Sequence, residues 1–239
     1  MPPGQHELVR FTRRKPVSSL PAPRAAIPVR VAVLRNPASK GRGVGPLAVE
    51  RLLAAWLGSP VVLGHREDGS PLITGAEGHH ISLGHAAGCT AIAMAKDPVG
   101  IDLAAVAMTS ADRRVAASLF TGPERAWLDS LTAAQKPVGF AQLWTLKEAL
   151  IKRNRQGLDR YELPDVSSVL TDLKPALVGA GTEWRSWAAL DVGPSANGLE
   201  LAMPGATLVP LGENELAVGQ ISASAGRFAL AVAWTSGRT

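Results

Sequence analysis

Cysteine is almost missing from this chain: Cys89 stands alone among 239 residues. An intramolecular disulfide is therefore excluded, and the composition suits a reducing compartment. His79, His80 and His85 lie close together, but no cysteine joins them at an interval that would make a zinc site. No apolar run is long enough to span a bilayer. The first residues, MPPGQHELVRFTRRKP, lack the apolar stretch of a secretion signal. A cytoplasmic protein with no membrane partner is expected. Acidic residues are scarce at the beginning. Residues 1–42 hold nine Lys/Arg and one acid, Glu7, a balance of +8; the remainder holds 16 Lys/Arg and 19 Asp/Glu, a balance of −3, and the two give the net +5. Such an arm suits an anionic partner. Aromatics do not interleave with these cations and Phe11 is alone, so a nucleic-acid partner is not expected.

What is present is ample apolar material, 46% of the residues, enough for one large domain or two small ones packed together. Residues 1–28 are rich in Pro and Arg and read as an extended arm. Val29–Leu34 alternates like a strand, and Leu47–Leu57 has a helical period stopped by Gly58. Val61–His65 is a short strand, followed by a turn at Asp68-Gly69-Ser70-Pro71. His80–Leu83 is strand-like, and His85 falls in a glycine-flanked turn, Gly84–Gly88. Thr90–Ala95 and Val99–Leu103 read as a hairpin around Lys96-Asp97-Pro98. Helices are expected over 109–120 and over 121–131, with Thr121 as a cap. Four strand-like stretches follow, 186–192, 199–203, 215–222 and 228–234, with a period near two that favours antiparallel pairing. No repeat is visible.

Phe140–Leu158, FAQLWTLKEALIKRNRQGL, reads as one amphipathic helix with Phe140, Leu143, Trp144, Leu150 and Ile151 on the buried stripe and Gly157 as a left-handed cap. Glu148 and Lys152, four apart, share a face; at that spacing an exposed salt bridge is the ordinary reading.

Trp144-Thr145-Leu146-Lys147-Glu148, then Lys152, then Gly157-Leu158, resembles the signature of the Sfp-type 4′-phosphopantetheinyl transferases. Val99-Gly100-Ile101-Asp102-Leu103 resembles the family's upstream motif, in the right order and at its usual separation. The resemblance covers Leu47 to Leu158 and thins on either side. It implies an α+β fold of two similar subdomains, a pseudo-dimer in which each has a small antiparallel sheet and a long helix, with the active site between them. The division falls near Ala107–Ser110, giving a 29–108 subdomain and a 109–239 subdomain after the arm.

The resemblance assigns roles. Asp102 and Glu148 would hold Mg²⁺ on a pyrophosphate; small hard Mg²⁺ takes oxygen ligands and accepts one or two carboxylates plus water and substrate phosphates. Strand alternation puts residues 102 and 104 on one face, and the family's second carboxylate there is Ala104 in this chain. Glu148 would also act as base on the attacking serine of a carrier protein, and Lys152 would contact a phosphate. His85 would contact the 3′-phosphate of coenzyme A, with Gly84 where the family has a serine. The 68–71 turn resembles the family's Gly-Lys-Pro turn with Ser70 in the lysine's place, for which Arg66 could supply the charge. Lys40, Arg42 and Arg51 are further candidates for phosphate contacts. Lys147 is expected to be structural, Trp144 to be core, and Phe120-x-x-x-Glu124 to be a structural family element.

The function so implied is Mg²⁺-dependent transfer of 4′-phosphopantetheine from coenzyme A to an apo acyl- or peptidyl-carrier protein, by a monomer, in polyketide or nonribosomal peptide biosynthesis. The three changed positions, 70, 84 and 104, keep a second reading open: a homologue that has lost transfer and binds carrier proteins or acyl-CoA, or catalyses another reaction in such a pathway.

Overall fold

The structure, a computed structural model, describes residues 29–35, 43–155, 163–171, 173, 185–186, 200–202, 207–211, 214–223 and 226–235. The expected arm at 1–28, Lys40, Arg42 and Gly157-Leu158 lie outside them. The elements run β1 (Val29–Arg35), α1 (Pro46–Leu57), β2 (Val62–His65), β3 (Pro71–Thr74), β4 (His80–Ala86), β5 (Cys89–Ala95), β6 (Val99–Ala105), α2 (Ser110–Leu119), α3 (Gly122–Ser130) and α4 (Lys136–Asn154). A 3-10 turn at Ser167–Val169 precedes β7 (Arg185–Ser186), β8 (Glu200–Ala202), β9 (Thr207–Leu211), β10 (Asn214–Ala223) and β11 (Gly226–Thr235). The class is α+β, as expected, and the strand pairs among the described residues are antiparallel.

The strands form a five-stranded sheet in the order β4-β5-β1-β8-β7, a four-stranded sheet β6-β11-β10-β9, and a small β2-β3 pair. The hairpin expected between β5 and β6 does not form. Both edges of β5 are already taken, by β4 and by β1, so the chain crosses at Lys96–Pro98 and β6 pairs with β11 in the other sheet. β6 therefore lies before the expected division at 107–110 but hydrogen-bonds with β11, from the end of the chain. β7 and β8, from beyond it, join β1.

Period-two alternation sorts side chains into layers. Val29 and Val33 of β1 and Cys89, Ala91, Ala93 and Ala95 of β5 pack against Ile101, Leu103 and the even-numbered residues Phe228 to Trp234 of β11, so the two sheets meet face to face. Ala32, Leu34, Ile92 and Met94 point the other way and are covered by Val49, Leu52 and Leu53 of α1. Ala231 and Ala233 of β11 lie under α4, which is covered in turn by α2, α3 and Leu163, Val166, Val169, Leu170 and Leu173. The order of layers is helix, sheet, sheet, helix.

α4 starts earlier and ends sooner than its sequence suggests. Pro137 lies in its first turn, where a missing N–H costs nothing. Arg155 closes it in the left-handed conformation, φ 51°, its amide bonded to the carbonyls of Ile151 and Lys152. The buried surface is also wider than one stripe. Val138 to Ile151 is buried nearly all round, with Trp144 the half-buried exception, because layers cover both sides of the helix. Thr109 and Thr121 cap α2 and α3 through capping boxes with Asp112 and Glu124. β4 runs on through His85 to Ala86, and the turn is Ala87-Gly88, so His85 is a strand residue facing Thr90 across the hairpin rather than a turn residue. β9 has no counterpart in the sequence reading. Its Pro210 argues against a strand, and the fold accepts it because β9 is a sheet edge. Among the described residues no helix is long and apolar enough to cross a membrane.

Candidate active site

Alternation along β6 sends Ile101 and Leu103 into the sheet-to-sheet core and turns Gly100 and Asp102 toward α4. Gly100 sets how close the helix comes: a Cβ there would collide with the carbonyl oxygen of Ala149 and press on the amide of Arg153. Backbone contact at Gly100 brings the next turn of α4 over Asp102, and Lys152 Nζ donates to Asp102 Oδ1 at 2.6 Å. Glu148 sits one turn earlier on the same helix face. Gly84 of β4 also approaches β6 closely, though less so: a Cβ at 84 would stand 2.9 Å from Asp102 Cα. Ser82 Oγ accepts the Ile101 amide at 3.0 Å and so satisfies one N–H on the open edge of β6. Two glycines and one buried serine thus hold Asp102 between β4 and α4.

The electrostatics follow from burial. Asp102 and Glu148 are 7% and 6% exposed. Desolvation pushes both carboxyls above the usual carboxylate range; the Asp102 charge pushes Glu148 further, while Lys152 pulls both back only in part. Burial, and then the Lys152 charge, lower the His85 imidazole, and Asp102 partly offsets them. The Lys152 charge acts on Asp102, Glu148 and His85 alike, so all three lie near its ammonium. His85 Nδ1 is 3.0 Å from Thr90 Oγ1, which also accepts the Val44 amide at 3.0 Å.

His85, Glu148 and Lys152 line a cleft of ≈ 400 Å³ together with Ser70, His80 and Arg155 among others, and Asp102 lies behind Lys152 rather than on its wall. At its mouth Arg155 donates to His80 Nδ1 at 2.8 Å. Burial, then the Arg155 charge, lower the His80 imidazole. Asp68 Oδ1 accepts from the Ser70 amide at 2.8 Å and the Ser70 hydroxyl at 2.6 Å, and these bonds hold Asp68 below the usual range.

The structure therefore brings together Asp102, Glu148, Lys152 and His85. Arg66 sits at the base of the 68–71 turn, its amide on the Ser70 carbonyl at 2.8 Å, and is near enough to act on Asp68 and His80. Arg51 lies half-buried on α1 and is not among the residues that line the cleft. The sequence reading missed Ser82, Thr90, His80 and Arg155. No spacing rule points to the first two, because what recruits them is strand pairing; the last two meet across 75 residues.

Lys147 and Glu124 take a structural part. Both are fully buried, 2.7 Å apart. Glu124 accepts the Thr121 and Val166 amides at 2.8 and 2.9 Å, Lys147 donates to the Pro164 carbonyl at 2.6 Å, and its ammonium lies 5.4 Å from the centre of the Phe120 ring. The pair ties α3, α4 and the 163–166 segment together behind the face that carries Glu148.

A search among curated proteins finds no match to the chain. The model of the 4′-phosphopantetheinyl transferase superfamily matches residues 98–192. That stretch supplies Asp102, Glu148 and Lys152, whereas His85 and the 68–71 turn come from the chain before it. Residues 98–192, which begin at β6 and include α4, form a domain of the 4′-phosphopantetheinyl transferase superfamily.

Proposed function

We propose that this chain is an Sfp-type holo-carrier-protein synthase, transferring 4′-phosphopantetheine from coenzyme A to a serine of an apo acyl- or peptidyl-carrier protein. The observation that carries the reading is the meeting of Asp102, Glu148 and Lys152 beside the cleft, with the 2.6 Å ion pair between Lys152 and Asp102. In this reading the two sheets with their covering helices are the related halves of a pseudo-dimer, and the enzyme acts as a cytoplasmic monomer.

The residues fit Mg²⁺. Two buried carboxylates offer hard oxygen donors, the Asp102 charge opposes that of Glu148, and one ammonium offsets their burial only in part. Asp102 and Glu148 would hold the ion, which when bound supplies charge neutralisation on the pyrophosphate. The remaining work belongs to side chains. Glu148, poised by burial to accept a proton, takes it from the carrier serine hydroxyl. The serine oxygen attacks the β-phosphorus, the bond to the bridging oxygen breaks, and 3′,5′-ADP leaves. Lys152 stabilises charge on the phosphates, and Asp102 fixes where its ammonium sits. His85 donates to the 3′-phosphate. A loose phosphoryl-transfer transition state asks mainly for this positioning and neutralisation.

The test is an intact-mass assay on several apo carrier proteins with coenzyme A and Mg²⁺. The expected result is a Mg²⁺-dependent gain of one phosphopantetheine on at least one carrier; no gain on any of them, with the protein folded, overturns the reading. A second test uses Ala104, half-buried on the same strand face as Asp102. Ala104→Glu adds a carboxylate and is expected to tighten Mg²⁺ by about tenfold in calorimetric titration, since affinity follows ligand charge. An unchanged affinity would move the metal away from Asp102.

One observation favours the second reading, a carrier- or acyl-CoA-binding homologue without transfer: Asp102 Oδ1 is already engaged by Lys152, and position 104 offers no further carboxylate. Coenzyme A binding without transfer in the same assay would select it.

A further inference from the structure

Thr90 is fully buried, and its hydroxyl oxygen lies 3.0 Å from two nitrogens, the Val44 amide and His85 Nδ1. An amide nitrogen can only donate, so the hydroxyl accepts from Val44. Its own proton then needs an acceptor, because a buried donor left unmade is costly. The acceptor this geometry offers is His85 Nδ1. A neutral imidazole that accepts at Nδ1 carries its proton on Nε2, and the partner of one ring nitrogen decides the state of the other. His85 lines the cleft, so the Nε2–H is the donor left for a ligand there.

The backbone beside this hydroxyl is equally constrained. A Cβ at Gly43 would stand 2.5 Å from Thr90 Oγ1 and 2.8 Å from His85 Nδ1. Thr90 is on a strand and cannot retreat, so position 43 admits no side chain while the network stands. Pairing across the hairpin sets His85 opposite Thr90 and keeps the two side chains adjacent.

We propose that Thr90, backed by the Gly43-Val44 main chain, is a positioning residue that locks His85 in the Nε2–H tautomer and presents that proton to a phosphate anion in the cleft. The identity of the anion as the 3′-phosphate of coenzyme A rests on the proposed function; the tautomer does not.

Nitrogen-detected NMR of the His85 ring in the full chain, without ligand and at neutral pH, reads the tautomer directly. The expected spectrum has a protonated Nε2 and an unprotonated Nδ1. Thr90→Val should give a mixture of tautomers, and Thr90→Ser should restore the single form. Gly43→Ala should behave like Thr90→Val. Binding is compared with coenzyme A and dephospho-coenzyme A, which differ only in the 3′-phosphate. The wild-type preference for coenzyme A should fall about tenfold in Thr90→Val, as expected for a misdirected charge-assisted bond, and recover in Thr90→Ser. His85→Ala should abolish the preference. A wild-type Nδ1–H tautomer, which needs no variant to fold, overturns the proposal; so does an unaltered tautomer in Thr90→Val. If the tautomer and its response to Thr90→Val are as expected but the two cofactors bind alike in wild type, the lock stands and the 3′-phosphate assignment falls.

Discussion

Glu148→Gln is expected to reduce phosphopantetheine transfer by about a thousandfold, the middle of the range for a general base, while leaving the fold intact. The substitution keeps the shape of the side chain and removes its ability to take a proton. It also removes a charge that the fold disfavours. Glu148 is buried, and burial and the Asp102 charge both oppose its ionised form. Loss of a required core contact would lower the melting temperature; loss of a disfavoured charge leaves it equal or slightly higher. Intact-mass kinetics on the carrier, with a thermal melt of the same sample, separate these. Transfer within tenfold of wild type would remove Glu148 from the role of base. A large drop in melting temperature would make it a structural residue.

Lys147→Met is expected to give the largest stability effect. Met matches the length of the lysine stem but leaves the Glu124 carboxylate buried without its counter-charge. Breaking one partner of a buried pair costs about 3–5 kcal/mol. For a protein of this size that is a fall in melting temperature of roughly 6–20 °C. Glu124 would still accept the Thr121 and Val166 amides, so the helix cap should survive while the tie to α4 is lost. The double variant Lys147→Met/Glu124→Gln should recover part of the loss, and the cycle isolates the pair. A single variant as stable as wild type would show that the carboxylate finds other compensation.

Much of the site could be read in the sequence because it is local. Glu148 and Lys152 share a helix face by their spacing. Asp102 and Ala104 share a strand face by alternation, and Ile101 and Leu103 mark the opposite face as core. Thr121 was legible as a cap from its position before Gly122-Pro123-Glu124. What spacing cannot convey is the partner. Glu148 and Lys152 read locally as an i,i+4 pair, yet the ion pair that forms is between Lys152 and Asp102, 50 residues apart. Lys147, one residue from Glu148, shows no sign in sequence of being fully buried, because its burial is made by Glu124 and by Pro164 from other segments.

The chain by itself determined the class of fold, the helix that carries the candidate base, the strand face that carries Asp102, and the family to which the stretch 98–192 belongs. These follow from periodicity and from short motifs, which are properties of neighbours along the chain. Only the tertiary structure decided that β6 leaves β5 for β11, that His85 is a strand residue set against Thr90, and that Gly84 and Gly100 hold Asp102 between β4 and α4. These depend on which strand edges remain open and on how closely two backbones can approach. Both are settled between segments far apart in sequence, where no local pattern reaches.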